Sequence, residues 1–172
     1  MTAMNTTPLK IDFVSDVSCP WCAVGLGALE EALQKLQGDV SAELHFQPFE
    51  LNPQMGPEGQ DIGEHLAEKY GSTAEQHVVV AHGFAAGMAG GHERFLQRVL
   101  LGCVREAGLD EARAKAILAS DEFANDVRER EAFYTSHGIR SVPAVIINDK
   151  HLISGGQPAA VFEQALRQIA AE

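Results

Sequence analysis

An apolar run, Ile11 to Val17, leads straight into Cys19-Pro20-Trp21-Cys22, and this junction constrains the fold more than any other feature of the chain. The run has the length and composition of a buried strand. The two thiols that follow it stand one helical turn apart, with a proline suited to the start of a helix between them. A strand that runs into a Cys-x-x-Cys opening a helix is the arrangement needed to make, break or reshuffle disulfides. An α/β fold is therefore expected, with its chemistry on the first strand-to-helix turn.

Beyond that turn, the spacing predicts a helix from about Pro20 to Gln37 with Val24, Leu26, Leu29, Leu33 and Leu36 on one apolar stripe. Gly38 stands where a C-cap glycine belongs. Residues Ala42 to Gln47 alternate and read as a second strand, which Pro48 weakens or ends. The middle of the chain changes character. Residues 51–59 are a loop rich in Pro and Gly, Ile62 to Tyr70 a short amphipathic helix, and 83–91 a connection holding four glycines in nine residues. Two more helices are expected, about His92 to Ala107 and about Asp110 to Ser136. The second is broken near Ser120-Asp121, with Asp121 capping its later part.

The end returns to strands: Ala144 to Ile147 and His151 to Ser154 flank an Asn148-Asp149 turn as a hairpin. Gly155-Gly156 then leads to Pro158, suited to a first helical turn, and to a last helix burying Val161, Phe162, Leu166 and Ile169. The order is βαβ, then helices, then ββα. That order is α/β with a thioredoxin-like fold split by an α-helical insertion. Residues 9–52 and 139–172 are expected to form the thioredoxin-like domain and 53–138 the insertion.

Length and charge narrow the function. At 172 residues the chain holds one compact domain with an inserted subdomain, and its 45% apolar content suits an ordinary globular protein. A formal net charge of -11 argues against nucleic acid and anionic membrane as partners, since both demand a basic patch. The polar N-terminus has no apolar segment of the secretory kind, and no run approaches the roughly 18 apolar residues of a membrane span. A cytoplasmic location is expected. Three cysteines are too few for a disulfide scaffold, so in a reducing compartment the Cys-x-x-Cys is catalytic or metal-binding.

Cys19 falls at the start of the first helix, where unpaired amides and the helix dipole favour negative charge, and is the expected nucleophile. Cys22, one turn further in, is the expected resolving thiol that releases a mixed disulfide. A structural zinc site would need two more ligands at comparable spacing, and no second Cys-x-x-Cys or His-x-x-x-His exists. Neither a metal nor any cofactor beyond the Cys19–Cys22 dithiol is expected. The competing readings are two buried structural cysteines or an inert disulfide.

Val142-Pro143 falls directly before an apolar strand. It is either a trans proline that starts the strand or a cis proline facing the dithiol. If cis, the Val142 backbone pairs with an extended substrate segment beside Cys19. Val142, Pro20 and Trp21 are thus the candidate substrate-binding residues. Asp12 is a charge out of place within the first strand and is the candidate proton relay for Cys22; Asp16, in the loop before Cys19, reads first as a turn residue and only second as a relay. Cys103, among Leu100, Leu101 and Val104, reads as core. His77, His82 and His92 have spacings that suit no metal motif.

The segments FVSDVSCPWC, HFQPFELNP, GIRSVPAVIIND and HLISGGQP resemble the FrnE branch of the DsbA-like thioredoxin superfamily. Those proteins are dithiol–disulfide oxidoreductases or isomerases, cytosolic in many bacteria. The likeness covers Lys10 to Pro53 and Gly138 to Ala170, and it extends to DIGEHLAEKYGST and REAGLDEARAKAILASDEFANDVREREA. It implies that Cys19 and Cys22 are the redox pair and Pro143 the cis-proline. It also implies protein or small-molecule disulfides and thiols as substrates, with thioredoxin or glutathione as reducing partner. One departure stands out: between Gln76 and His77 the family continues through further helices that are absent here, so the helical lid is shortened. Two other functions stay open. One is a glutathione-dependent transferase or isomerase of the kappa-like branch, although those relatives generally carry Ser in place of the first cysteine and lack the second. The other is a binding protein that senses redox state without turnover.

Overall fold

In the computed structural model, residues 8–17, 19–55, 60, 64 and 100–172 are described. Strand β1, Leu9–Ser15, has buried residues on both faces: Leu9, Ile11 and Phe13 on one side, Val14 on the other with the charged Asp12. A strand of that kind belongs inside a sheet, and β1 lies between two others. It pairs parallel with β2, Ala42–Pro48, from Leu9 opposite Ala42 to Ser15 opposite Pro48. On its other side it pairs antiparallel with β3, Ala144–Ile147, which in turn pairs antiparallel with β4, His151–Ser154. The order is β2-β1-β3-β4. Pro48 ends β2 without loss because β2 is an edge strand, where the missing amide faces no neighbour. The β3–β4 turn places Asn148 and Asp149 at φ 53° and 56°, a left-handed conformation that these two residue types tolerate. The apolar run expected as strand up to Val17 ends earlier, and Val17 is exposed.

Helix α1, Pro20–Lys35, provides the crossover between the parallel strands. It buries Cys22, Gly25, Leu29 and Ala32, and Leu36 follows at its C-cap. That is a stripe of alternating three- and four-residue steps. Leu29 and Leu36 belong to it as expected, whereas Val24 points outward. The last helix of the chain, Ala159–Ala170, covers the same face of the sheet with Phe162, Leu166 and Ile169. Val161 was expected beside them but is exposed, being one residue and thus about 100° out of phase with Phe162. Pro158 is the N-cap of this helix rather than a residue of its first turn.

Between β2 and β3 the described helices are α2, Leu101–Glu106, α3, Glu111–Leu118, and α4, Ala124–Ser136; the last helix is therefore α5. Asp110 caps α3, its Oδ1 accepting the Arg113 amide at 2.9 Å. The expected break after α3 is present, but Asp121 does not cap α4. The Ala124 amide bonds the Asp121 carbonyl at 3.0 Å in an intervening turn, and the helix starts three residues later. The expected helix over 62–70 and the glycine-rich stretch 83–91 lie outside the described residues, apart from Glu64, which is helical.

The chain divides into two compact units, residues 1–51 with 126–172 and residues 52–125. Residues 126–138, expected in the insertion, fall with the sheet instead. The reason is tertiary: Tyr134 of α4 packs with Val14, Ala144 and Ile139 on the sheet face opposite α1. Arg128 pairs with Glu50 and Arg130 donates to Gln47 Oε1 at 2.9 Å.

Candidate active site

Because α1 begins at Pro20, Cys19 is its N-cap, with extended backbone at φ −88° and ψ 114°. Its side chain makes no capping bond, which leaves the thiol free at the positive end of the helix. Pro20 occupies the first helical position, where an amide would have had no partner. The Cys19 amide bonds the Asp16 carbonyl at 3.0 Å and the Cys22 amide bonds the Cys19 carbonyl at 3.1 Å, closing the turn. Both thiols are free and buried, at 7% and 4% exposure.

Cys22 stands on the buried stripe of α1, and burial pushes its thiol up to about 12. A hydrogen bond from the Asp16 backbone pulls the other way, while contact with Cys19 and the charge of Asp16 add to the rise. Cys22 is therefore protonated throughout the neutral range.

The Val142–Pro143 peptide bond is cis. The Cys19 thiol points at the Val142 carbonyl oxygen, 4.0 Å away. Two glycines permit this approach. A Cβ at Gly25 would stand 2.9 Å from Pro143 Cγ, and one at Gly156 3.3 Å from the Trp21 carbonyl oxygen. The Gly155 amide bonds the Pro143 carbonyl at 2.8 Å, so the Cys19–Cys22 turn and the segments 142–143 and 155–156 meet at one place. Sequence reasoning missed Gly25 and Gly156 as site residues. The available signal was a glycine inside a strongly periodic helix, which costs about 1 kcal/mol relative to Ala unless something approaches closely.

Trp21, Val17 and Val24 are all exposed, giving this end of α1 an apolar surface. Asp12 does not join the site. Strand side chains alternate, so Phe13 and Ile11 face the dithiol and Asp12 faces the other way. There its Oδ1 accepts from Gln47 Nε2 at 2.6 Å, and its Oδ2 lies 2.9 Å from Lys10 Nζ. Lys10 also pairs with Asp149 at 2.7 Å. A cavity of about 680 Å³ on that face is lined by Asp12, Lys10, His45, Gln47, Arg130 and Tyr134, among others. The strand's register puts Asp12 on the face away from Cys22, so the expected relay between them is not formed; Asp16, one residue beyond β1, adds its negative charge to the rise of the Cys22 thiol. Asp16 Oδ2 also accepts the Leu51 amide at 2.8 Å.

Cys103, expected in the core, is exposed; Leu101 is the buried residue of α2. Among the described residues, no three His, Cys, Asp or Glu side chains come together as metal ligands. Among them, too, no helix is long and apolar enough to cross a membrane.

The DSBA-like thioredoxin domain matches residues 10–167. The uncharacterized protein YwbO of Bacillus subtilis (strain 168) is 28% identical, covering 92% of this chain and 96% of its own. That alignment runs over 196 positions, more than this chain has residues, so the relative carries residues that are absent here. The crystal structure of a probable DsbA oxidoreductase from Streptomyces coelicolor is 27% identical with a TM-score of 0.74, covering 95% of this chain and 91% of that one. A putative protein disulfide isomerase from Nitrosomonas europaea has the same fold, with a TM-score of 0.58 at 17% identity over 94% and 97% of the two chains.

Proposed function

The chain belongs to the DSBA-like thioredoxin domain family, and from that premise we propose that it is a thiol–disulfide oxidoreductase or isomerase working through the Cys19–Cys22 pair. One observation carries the reading. An N-cap thiol with no capping bond points at the Val142 carbonyl, and a second, buried thiol waits one turn behind it. Cys19 attacks a substrate disulfide, expels one sulfur and holds the other in a mixed disulfide. Cys22 then attacks Cys19 Sγ, releases the second sulfur and leaves the Cys19–Cys22 disulfide. The Val142 backbone aligns an extended substrate segment, with Pro20 and the exposed Trp21 beside it. In a cytoplasm the reaction runs as reduction or isomerisation, with thioredoxin or glutathione returning the pair to the dithiol.

Insulin reduction and the reactivation of scrambled ribonuclease test this. Wild-type protein turns over in at least one of the two assays, Cys19→Ser in neither. Cys22→Ala accumulates mixed disulfides with clients, visible as dithiothreitol-sensitive adducts. A reversible dithiol without turnover in either assay would replace the enzyme with a redox sensor.

A further inference from the structure

We propose that the outer edge of β2 docks a second copy of this chain, the two strands pairing antiparallel about a two-fold axis at His45. β2 ends the β2-β1-β3-β4 sheet, so one side of it faces β1 and the other faces no strand. It runs from Ala42 to Pro48 in unbroken parallel register with β1. Its backbone groups sort by parity. The Ser41 carbonyl accepts the Leu9 amide at 2.8 Å, and the Phe49 amide donates to the Ser15 carbonyl at 3.0 Å. Odd-numbered residues from 41 to 49 therefore turn their amides and carbonyls toward β1. Those of Ala42, Leu44 and Phe46, with the carbonyl of Pro48, turn outward, and among the described residues they bond no other group.

Proteins usually blunt such an edge with a short or bulged strand, inward-pointing charges or a covering loop. β2 is neither short nor bulged, and Glu43 is its one permanent charge. Phe46 is 60% exposed, with the Phe13 ring against one side of it at 5.9 Å.

The strand is complementary to itself when turned through a half-circle about His45. Ala42 then lies opposite the partner's Pro48, Glu43 opposite the partner's Gln47, and Leu44 opposite the partner's Phe46. This register pairs β2 end to end and brings the outward backbone groups together. Leu44 exchanges both bonds with the partner's Phe46, and the Ala42 amide reaches the partner's Pro48 carbonyl. The missing proline amide leaves the Ala42 carbonyl unbonded at each end and disturbs nothing else. Side chains agree with the backbone. On the α1 face Phe46 covers the partner's Leu44, which packs against the core. On the α4 face Glu43, exposed and 3.8 Å from His45, meets the partner's Gln47. Gln47 Oε1 holds the Arg130 guanidinium at 2.9 Å, so opposite charges face each other across the axis. Such a contact is isologous and closes at two copies, joining their sheets into one.

A single strand pair is at the small end of specific interfaces, so the dimer should be weak and concentration-dependent. The reduced full chain carries Cys103→Ser, which prevents a disulfide between copies through the exposed thiol. Sedimentation velocity then follows it from about 5 µM to about 500 µM at about 0.15 M salt, which screens the charge of -11 on each copy. The expected result is a shift from monomer to dimer and no further. Over the same range, hydrogen exchange at the outward Leu44 and Phe46 amides should slow by about tenfold.

Phe46→Lys should weaken association by at least about tenfold. Glu43→Arg and Arg130→Glu should each weaken it by about threefold, and the double variant should recover most of the loss. Within one chain about 13 Å of strand separates Glu43 from the Gln47 that holds Arg130, so recovery reports a contact between copies. A chain that stays monomeric to the highest concentration overturns the proposal and leaves the edge to another protein's strand or to none. A dimer in which the Leu44 and Phe46 amides exchange as fast as in the monomer overturns it too, because it forms on another face. So does a dimer indifferent to Phe46→Lys, or a charge swap that recovers nothing.

Discussion

Two cysteines three residues apart divide the work because the cap of a helix and the buried side of its first turn are different environments. Cys19 is at the open helix end, and Cys22 is on the stripe that packs against Phe13 and Leu29. The burial of Cys22 has a consequence for stability that is separate from catalysis. Its thiol, ordinarily near 9.0, is pushed up to about 12 in the folded, reduced protein. The folded state therefore holds a proton that the unfolded state releases, so this contribution to stability is complete below pH 9 and is lost as pH rises from 9 to 12. Urea unfolding of the reduced protein should show stability falling across that window. Burial also raises Tyr134, which adds to the fall above pH 10. Subtracting a Cys22→Ala series isolates the cysteine, and parallel curves for the two proteins would refute its share. Sequence alone gave the division of roles between the thiols, but it ranked Asp12 ahead of Asp16 as the carboxylate near them. Asp12 stood out as a charge in a strand, yet β1 is buried on both faces and reads as one apolar run. Nothing in such a run says which parity faces the dithiol.

At the scale of elements, the contact between α1 and the Val142-Pro143 segment is set by a missing side chain. Gly25 and Gly27 both lie inside α1, and alanine at either position should gain about 1 kcal/mol from helix propensity alone. They differ in surroundings. Among the described residues nothing comes within 4 Å of a Cβ at 27, whereas at 25 the new carbon meets Pro143 Cγ at 2.9 Å. Pro143 is itself fully buried and cannot swing aside, so overpacking of about 1–3 kcal/mol opposes the gain. Gly27→Ala should raise the urea midpoint, and Gly25→Ala should lower stability by about 1 kcal/mol net and slow Cys19 attack as Val142 is displaced. Equal effects at the two sites would mean that the close approach is unimportant. The periodic elements were legible from sequence because Leu29, Leu36, Phe162 and Leu166 repeat at helical spacing and the β3 run is continuous. Helix edges were not. Val24 and Val161 are apolar but one position out of phase, and the turn at Asp121 defers α4 to Ala124 through a backbone bond that composition does not encode.

For the whole molecule, the order of strands and helices was readable, and the split at residue 126 was not. Tyr134, Arg128 and Arg130 tie α4 to its unit through Val14, Glu50 and Gln47, all far away in sequence, and no local pattern announces such contacts. Net charge, by contrast, is read directly from the chain and bears on how substrates arrive. With 24 acidic against 13 basic residues the protein repels anions, and Asp16 adds a negative group beside the thiols. Encounter with a charged disulfide should then depend on salt. Cystamine, a dication, and 3,3′-dithiodipropionate, a dianion, differ in intrinsic reactivity, so the informative quantity is the slope of each rate against ionic strength. Raising salt from about 0.01 M to 1 M shortens the screening length from about 30 Å to about 3 Å. Over that range the rate of Cys19 oxidation by cystamine should fall and that by dithiodipropionate should rise, closing their ratio by on the order of tenfold. If neither rate responds to salt, the exposed apolar residues Trp21, Val17 and Val24, rather than the field of the whole protein, govern access to Cys19.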